Sequence, residues 1–296
     1  DAREQRQIAH WHLLHRRYDK AIAFYEAART AALGDKSEDK DSEPPALDDV
    51  TDCLLDSICL DRLGRSDDAH AKRQQFHALF RLRTPDESAP DESVSGEAML
   101  ALLESLITAQ ACLSVDASDE GRAILREKLT AATKREERLA AAVGLSQLLL
   151  IDEQYAAYST LATEEIAPLA AELISEQRPA QSDAPDANFD LFAAALALWP
   201  LFQPEFVEQL PSSQRQEMIE AFSALRTQYD EAAVDAGCDI FLIAAHEAAG
   251  DRKAADEIRA RLDDYPEDVR QFPEAGRALL EFLNNPPRRT VRSSTP

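Results

Sequence analysis

Glycine is scarce in this chain of 296 residues, with 8 in all where an average composition of roughly 7% would give about 21. Phosphate-cradling loops, dinucleotide fingerprints and nucleophile elbows need closely spaced glycines, and none of these patterns occurs. β-branched residues are equally short, Val and Ile together filling 20 positions, and aromatics make up 6%. Strands favour those residue types, so a sheet-rich domain is excluded. Cations are outnumbered, 32 Lys and Arg against 55 Asp and Glu, for a net charge of −23. That field repels nucleic acid and anionic lipid and favours basic partners. Long apolar runs are missing too. The longest, Phe189 to Phe202 (FDLFAAALALWPLF), covers 14 residues, whereas a membrane span needs about 20. No membrane insertion and no nucleic-acid partner are therefore expected.

The four cysteines, Cys53, Cys59, Cys112 and Cys238, show no C-x-x-C pair and no zinc spacing. Cys53 and Cys59 would point from different faces of one helix, so all four read as free core residues. Unbridged cysteines favour a reducing compartment. The expectation is a bacterial cytoplasm, with export to the periplasm after leader removal as the alternative. The chain starts without Met, which fits a processed product or a piece of a longer protein.

What is present is helix-forming. Ala fills 51 positions and Leu 36, and both stand high in helix propensity. Periodicity and caps predict helices near 2–17, 19–33, 48–63, 66–82, 95–113, 118–132, 135–151, 153–176, 188–202, 211–228, 230–249, 251–264 and 273–284. The expected class is all-α, built from antiparallel hairpins stacked as an α-solenoid. The predicted organisation is a helical array over 1–176 with a mobile acidic loop at 35–46, and a second loop at 84–93. A linker at 177–187, a second array at 188–284 and a mobile tail at 285–296 complete it.

One pattern recurs at the turns between paired helices: RRYDKAIAFYEAA (16–28), GRSDDAHAKRQQF (64–76), SDEGRAILREKL (118–129), DEQYAAYSTL (152–161) and GDRKAADEIRARL (250–262). A polar turn is followed by an Ala near the next helix start, as at Ala21, Ala69, Ala123 and Ala156. The small residue lets two helices approach closely while larger ones fill the next groove. In these residues the chain resembles the tetratricopeptide repeat family. Ile8, Ala9 and His12 fall on the packing positions of the first repeat helix, and Ala21, Tyr25 and Ala28 on those of the second. Gly250 to Pro266 is a further match, while Arg73 stands where an aromatic is usual. The resemblance implies a groove lined by the first helix of each pair. It places Arg3, Arg6 and His10 toward that groove, His10 replacing the customary Asn.

Chemistry-bearing constellations are thin. His10, His12 and His15 cluster in HWHLLH, but only His12 and His15 share a helical face, and two imidazoles make a weak metal site. His246-Glu247 begins like a zinc-protease helix, yet Gly250 stands where the second His belongs. The acidic stretch from Asp35 has Lys40 and Ala46 where a calcium loop needs Gly and a bidentate acid. No metal, cofactor or catalytic residue is assigned. The expected function is a non-catalytic interaction module or adaptor that holds a protein or peptide partner in the groove. The alternative is a structural subunit or exported scaffold segment of a larger assembly. Phe189 to Phe202 is apolar on nearly every face, so it must be covered by the core or by a partner. Trp199 and Phe202 are the candidate contacts if a partner covers it; helices 153–176 and 211–228 are the expected cover otherwise.

Overall fold

The computed structural model describes residues 1–34, 47–81, 93–176, 187–229, 231–262 and 264–265. The expected loop 35–46, helix 273–284 and tail 285–296 lie outside the described residues, as does nearly all of 84–93 and 177–187. The elements are α1 (Ala2–Leu14), α2 (Tyr18–Gly34), α3 (Leu47–Arg62), α4 (Ser66–Arg81), α5 (Ser93–Ser114), α6 (Ser118–Ala131), α7 (Arg135–Ile151) and α8 (Tyr155–Leu161). A π-helical segment (Ala162–Ile166) leads into α9 (Ala167–Glu176), and α10 (Ala187–Leu198) ends in a 3₁₀ turn (Trp199–Phe202). Then come α11 (Pro204–Val207), α12 (Ser212–Gln228), α13 (Ala232–Ala248) and α14 (Arg252–Leu262). Among the described residues there is helix and no strand.

The two expected long helices are interrupted, and proline explains each break. Over 153–176 the helix widens to a π turn at Ala162–Ile166. Pro168 would press its ring on the carbonyl four residues back, at Glu164, and the wider turn makes room for it. Over 188–202 the α-helix ends at Leu198, because Pro200 has no N–H to continue the ladder.

The described residues divide into two compact units. One holds the residues up to Leu161 with the first part of α10, the other those from Ala162 with the remainder from Ala195. In the first unit α1 packs on α2, α2 on α3, and α3 on α4 and α5, while α7 packs on α5, α6 and α8. A continuous apolar cluster runs through Leu13, Tyr25, Leu54, Ile58, Phe76 and Cys112. In the second unit α13 is the hub, touching α9, α11, α12, α14 and the 3₁₀ turn.

Five turns between paired helices share one hydrogen-bonding scheme. Arg16, Gly64, Asp116, Glu153 and Gly250 each adopt a left-handed backbone, with φ of 57, 74, 52, 56 and 79°. At the first, Arg16 N–H donates to the Leu13 carbonyl and Arg17 N–H to that of His12. The same two bonds recur at the other four, closing the carbonyls that a helix end leaves open. The N–H of the residue five positions after the left-handed one then donates to the carbonyl of the residue just before the next helix. At that position stand Ala21, Ala69, Gly121, Tyr158 and Ala255, all buried.

This register corrects the sequence reading of the third and fourth turns. Ala123 and Ala156 are exposed, and the buried positions at this register are Gly121 and Tyr158, two residues to either side, a close approach at Gly121 and a large buried ring at Tyr158. A Cβ on Gly121 would lie 2.9 Å from Cys112 Cβ and from Leu148 Cδ1, so here the space that Ala occupies elsewhere is smaller still. Matching on alanine identity missed a register that the backbone turn sets.

Counting back from the left-handed residue, the inner helices α3, α5, α7 and α13 bury the same three positions. Twelve residues back are Asp52, Glu104, Ala141 and Cys238; eight back, Asp56, Thr108, Leu145 and Leu242; five back, Cys59, Ala111, Leu148 and Ala245. Every one of these is buried.

A non-glycine residue in the left-handed region carries a strain of about 1 kcal/mol that Gly does not. Arg16→Gly, Asp116→Gly and Glu153→Gly should each raise the unfolding free energy in urea by about 0.5–1 kcal/mol. Gly121→Val should lower it by about 1–3 kcal/mol through overpacking.

Candidate functional site

On four inner helices of the first unit, residues two, six and thirteen positions before the turn residue share one face, with a fourth position seventeen back. That face is open over most of α1 and α5 and at the end of α7, whereas on α3 Ile58 is fully buried with Thr51 and Arg62 half-buried, and on α7 Ala140 is buried. It carries Arg3, His10 and Leu14 on α1, Leu47 on α3, Met99, Leu103 and Gln110 on α5, and Gln147 and Ile151 on α7. Leu14, Leu47, Met99, Leu103 and Ile151 are exposed, from 40% for Leu47 and Leu103 to 60% for Ile151. They are five of the large apolar side chains that remain open to solvent. An apolar stripe of this kind, flanked by glutamines, can hold the side chains of a bound segment.

The predicted residues fall in different places. Arg3 is exposed and His10 half-buried, both on this face. His10 meets the edge of the Tyr25 ring at 5.7 Å. Its pKa is lowered by burial and by the Arg6 charge, against the pull of Asp48, so it presents a neutral imidazole. Arg6 points toward α3: its Nε donates to Asp52 Oδ2 at 2.8 Å, and it pairs with Asp49 and Asp48. Its charge is spent inside the fold.

Trp199 and Phe202 belong to a row of rings. Trp199 lies 5.4 Å from Phe202, Phe202 stacks on Phe241 at 4.2 Å, and Phe241 stacks on Phe222 at 4.2 Å. The cover over the 3₁₀ turn is thus α13, with α12 contributing Phe222 one ring further on. Both Trp199 and Phe202 are half-buried, and Leu201 between them is fully buried.

Sequence reasoning missed the buried acids. Asp56, on α3, is fully buried, 2.6 Å from Arg29 Nη2 of α2 and 3.7 Å from Lys72 Nζ of α4. Glu104, on α5, takes His77 of α4 and Lys128 of α6, the latter at 2.9 Å. Asp239, on α13, takes Arg226 of α12 at 3.3 Å, Arg261 of α14 at 3.0 Å, and the Tyr265 hydroxyl at 3.2 Å. In all three cases one carboxylate ties the helix before and the helix after. With 55 acids in the chain, nothing in the sequence marks these.

Burial pushes the Asp52 carboxyl up to about 6, against the hydrogen bond from Arg6. Burial likewise pushes Asp56 up to about 6, against Arg29 and Lys72. Glu104 is also burdened by burial, but His77 and Lys128 outweigh it and its pKa is lowered. The four cysteines are free and buried, and burial pushes Cys59, Cys112 and Cys238 up to about 12. Their thiolates are scarce at neutral pH, so these cysteines serve as packing. Among the described residues no group of three or more His, Cys, Asp or Glu is placed to hold a metal ion. No helix there is long and apolar enough to cross a membrane. Comparison with protein-family models, with curated proteins and with solved structures returned no match.

Two outcomes follow from this geometry. Asp52 and Asp56 bind a proton more tightly folded than unfolded, so their contribution to stability is full below about pH 4 and lost as pH rises through about 6. His10 and His12, with lowered pKa, act in the opposite direction. Urea titrations at pH 5 and pH 7 should therefore show that the double variant Asp52→Asn/Asp56→Asn loses less stability over this interval than the parent. Separately, Phe241→Ala should cost about 3–5 kcal/mol. Trp199→Ala should cost less, because part of its ring already meets water.

Proposed function

We propose that this chain is a non-catalytic interaction module, a tetratricopeptide-like array of stacked helical hairpins that holds a segment of a protein partner. The reading rests on the shared register of the inner helices. The same turn is used five times, and α1, α5 and α7 expose residues at equivalent positions before it, Leu14, Gln110, Gln147 and Ile151 among them. On that face Leu14, Leu47, Met99, Leu103 and Ile151 leave apolar surface in water, at a cost that a bound segment removes. Gln110 and Gln147 offer amide donors and acceptors to a partner's backbone. Perturbed carboxylates and cysteines are engaged in ion pairs or packing, which is the behaviour of a scaffold.

The partner is a protein segment presenting apolar side chains, and its encounter is helped by positive charge. The net charge of −23 accelerates approach of a basic protein, while affinity comes from the apolar contacts. Arg3 and His10, at the α1 end of the face, offer hydrogen-bond donors to the bound segment. Arg6 holds α1 to α3 and so positions that end.

Photo-crosslinking separates this face from the rest of the surface. A benzoyl-phenylalanine at position 103 or 110 should crosslink a partner protein in cells of the source organism. The same group at Arg126, exposed on α6, should not. Crosslinks of equal strength from all three positions, or from position 126 alone, would overturn the assignment.

A further inference from the structure

Three of the repeated turns carry a side chain where glycine is the unstrained choice. Gly64 and Gly250 hold the left-handed position in two turns, while Arg16, Asp116 and Glu153 hold it in the others. A charged side chain kept there against its backbone cost, where glycine serves elsewhere in the same chain, directs attention to what that side chain does.

Arg16 and Asp116 meet at one place. Both line a cavity of about 300 Å³ between the α1–α2 turn, the start of α2, the end of α3 and the α5–α6 turn. That volume is at the lower bound for small-molecule sites. Its walls are held by Arg62, whose guanidinium lies over the Tyr18 ring at 5.7 Å. Arg62 Nε donates to Glu120, and Nη2 donates to the Asp116 carbonyl at 3.2 Å. The charge of Arg62 is thus answered within the fold, and its second bond anchors the turn that carries Asp116.

The side chains of Arg16 and Asp116 are differently placed. Both residues are exposed, and neither side chain forms an ion pair with the other or with a further described residue. Opposite charges that border one cavity without closing on each other leave a gap for a molecule that carries both signs. Glu120 offsets Arg62, and Asp116 offsets Arg16. The lining is therefore neutral as a whole and favours neither a bare anion nor a bare cation. At the mouth stands Leu14, 52% exposed.

The geometry points to a binding site for a free amino acid with an apolar side chain. Its carboxylate meets the Arg16 guanidinium, its ammonium meets the Asp116 carboxylate, and its side chain covers Leu14. Leu14 also belongs to the open face assigned to a protein partner, but the cavity does not rest on that assignment. Its ligand is a small molecule tested alone, so either reading can fail without the other.

L-Leucine, titrated into the full chain and followed by calorimetry and saturation-transfer NMR, tests the proposal. It should bind saturably. Isocaproate, which lacks the ammonium, and isoamylamine, which lacks the carboxylate, should each bind at least ~10-fold more weakly. Arg16→Gly and Asp116→Gly should each weaken L-leucine at least ~10-fold while raising the thermal midpoint, because the turn loses its strain. Glu153→Gly gives the same relief at an equivalent turn outside the cavity lining, so it should raise the midpoint and leave binding unchanged. If a glycine variant fails to fold, the two analogues on the parent chain decide. The proposal is overturned by the absence of saturable L-leucine binding, or by equal binding of either analogue. Tighter binding of inorganic phosphate, or undiminished binding by both cavity variants, overturns it as well.

Discussion

A carboxylate taken out of water must find a cation or take up a proton, and this fold turns that requirement into architecture. Asp56, Glu104 and Asp239 each sit on an inner helix and each draw basic groups from the helix before and the helix after. Hydrophobic contact alone leaves neighbouring helices free to slide or rotate by a residue, because Ala and Leu stripes are tolerant of register. An ion pair between named atoms is not tolerant, since a one-residue slip strands a buried charge at a cost of several kcal/mol. The acids therefore add little to net stability and a great deal to uniqueness.

That distinction explains what was legible in the sequence. Helix content, the turn sites and most helix ends follow from propensity, caps and periodicity, and α7 and α12 begin and end within a residue of expectation. The interruption at Ala162–Ile166 was not anticipated, although Pro168 is its visible cause. The register of the buried positions after each turn is also hidden, because Gly121 and Tyr158 stand where Ala21, Ala69 and Ala255 stand elsewhere. Arg6 was assigned to an outward face by family pattern, and the pairing with Asp49 and Asp52 depends on α3, some 45 residues away in sequence. Pairing across such distances carries no local signature in a chain with 55 acids.

The exposed and the buried positions of these helices have a common origin. Inner helices in register expose one stripe along their length and bury a second against the preceding helix. Both are consequences of one turn geometry used repeatedly, and neither needs a catalytic group.

The central claim, that buried acids fix the register of flanking helices, is tested most directly by hydrogen exchange on Glu104→Gln. Backbone amides of α4 and α6 should both exchange faster than in the parent, because His77 and Lys128 lose a shared partner, while α1 keeps its protection. Exchange that rises in α5 alone, or evenly over the whole first unit, would contradict the account.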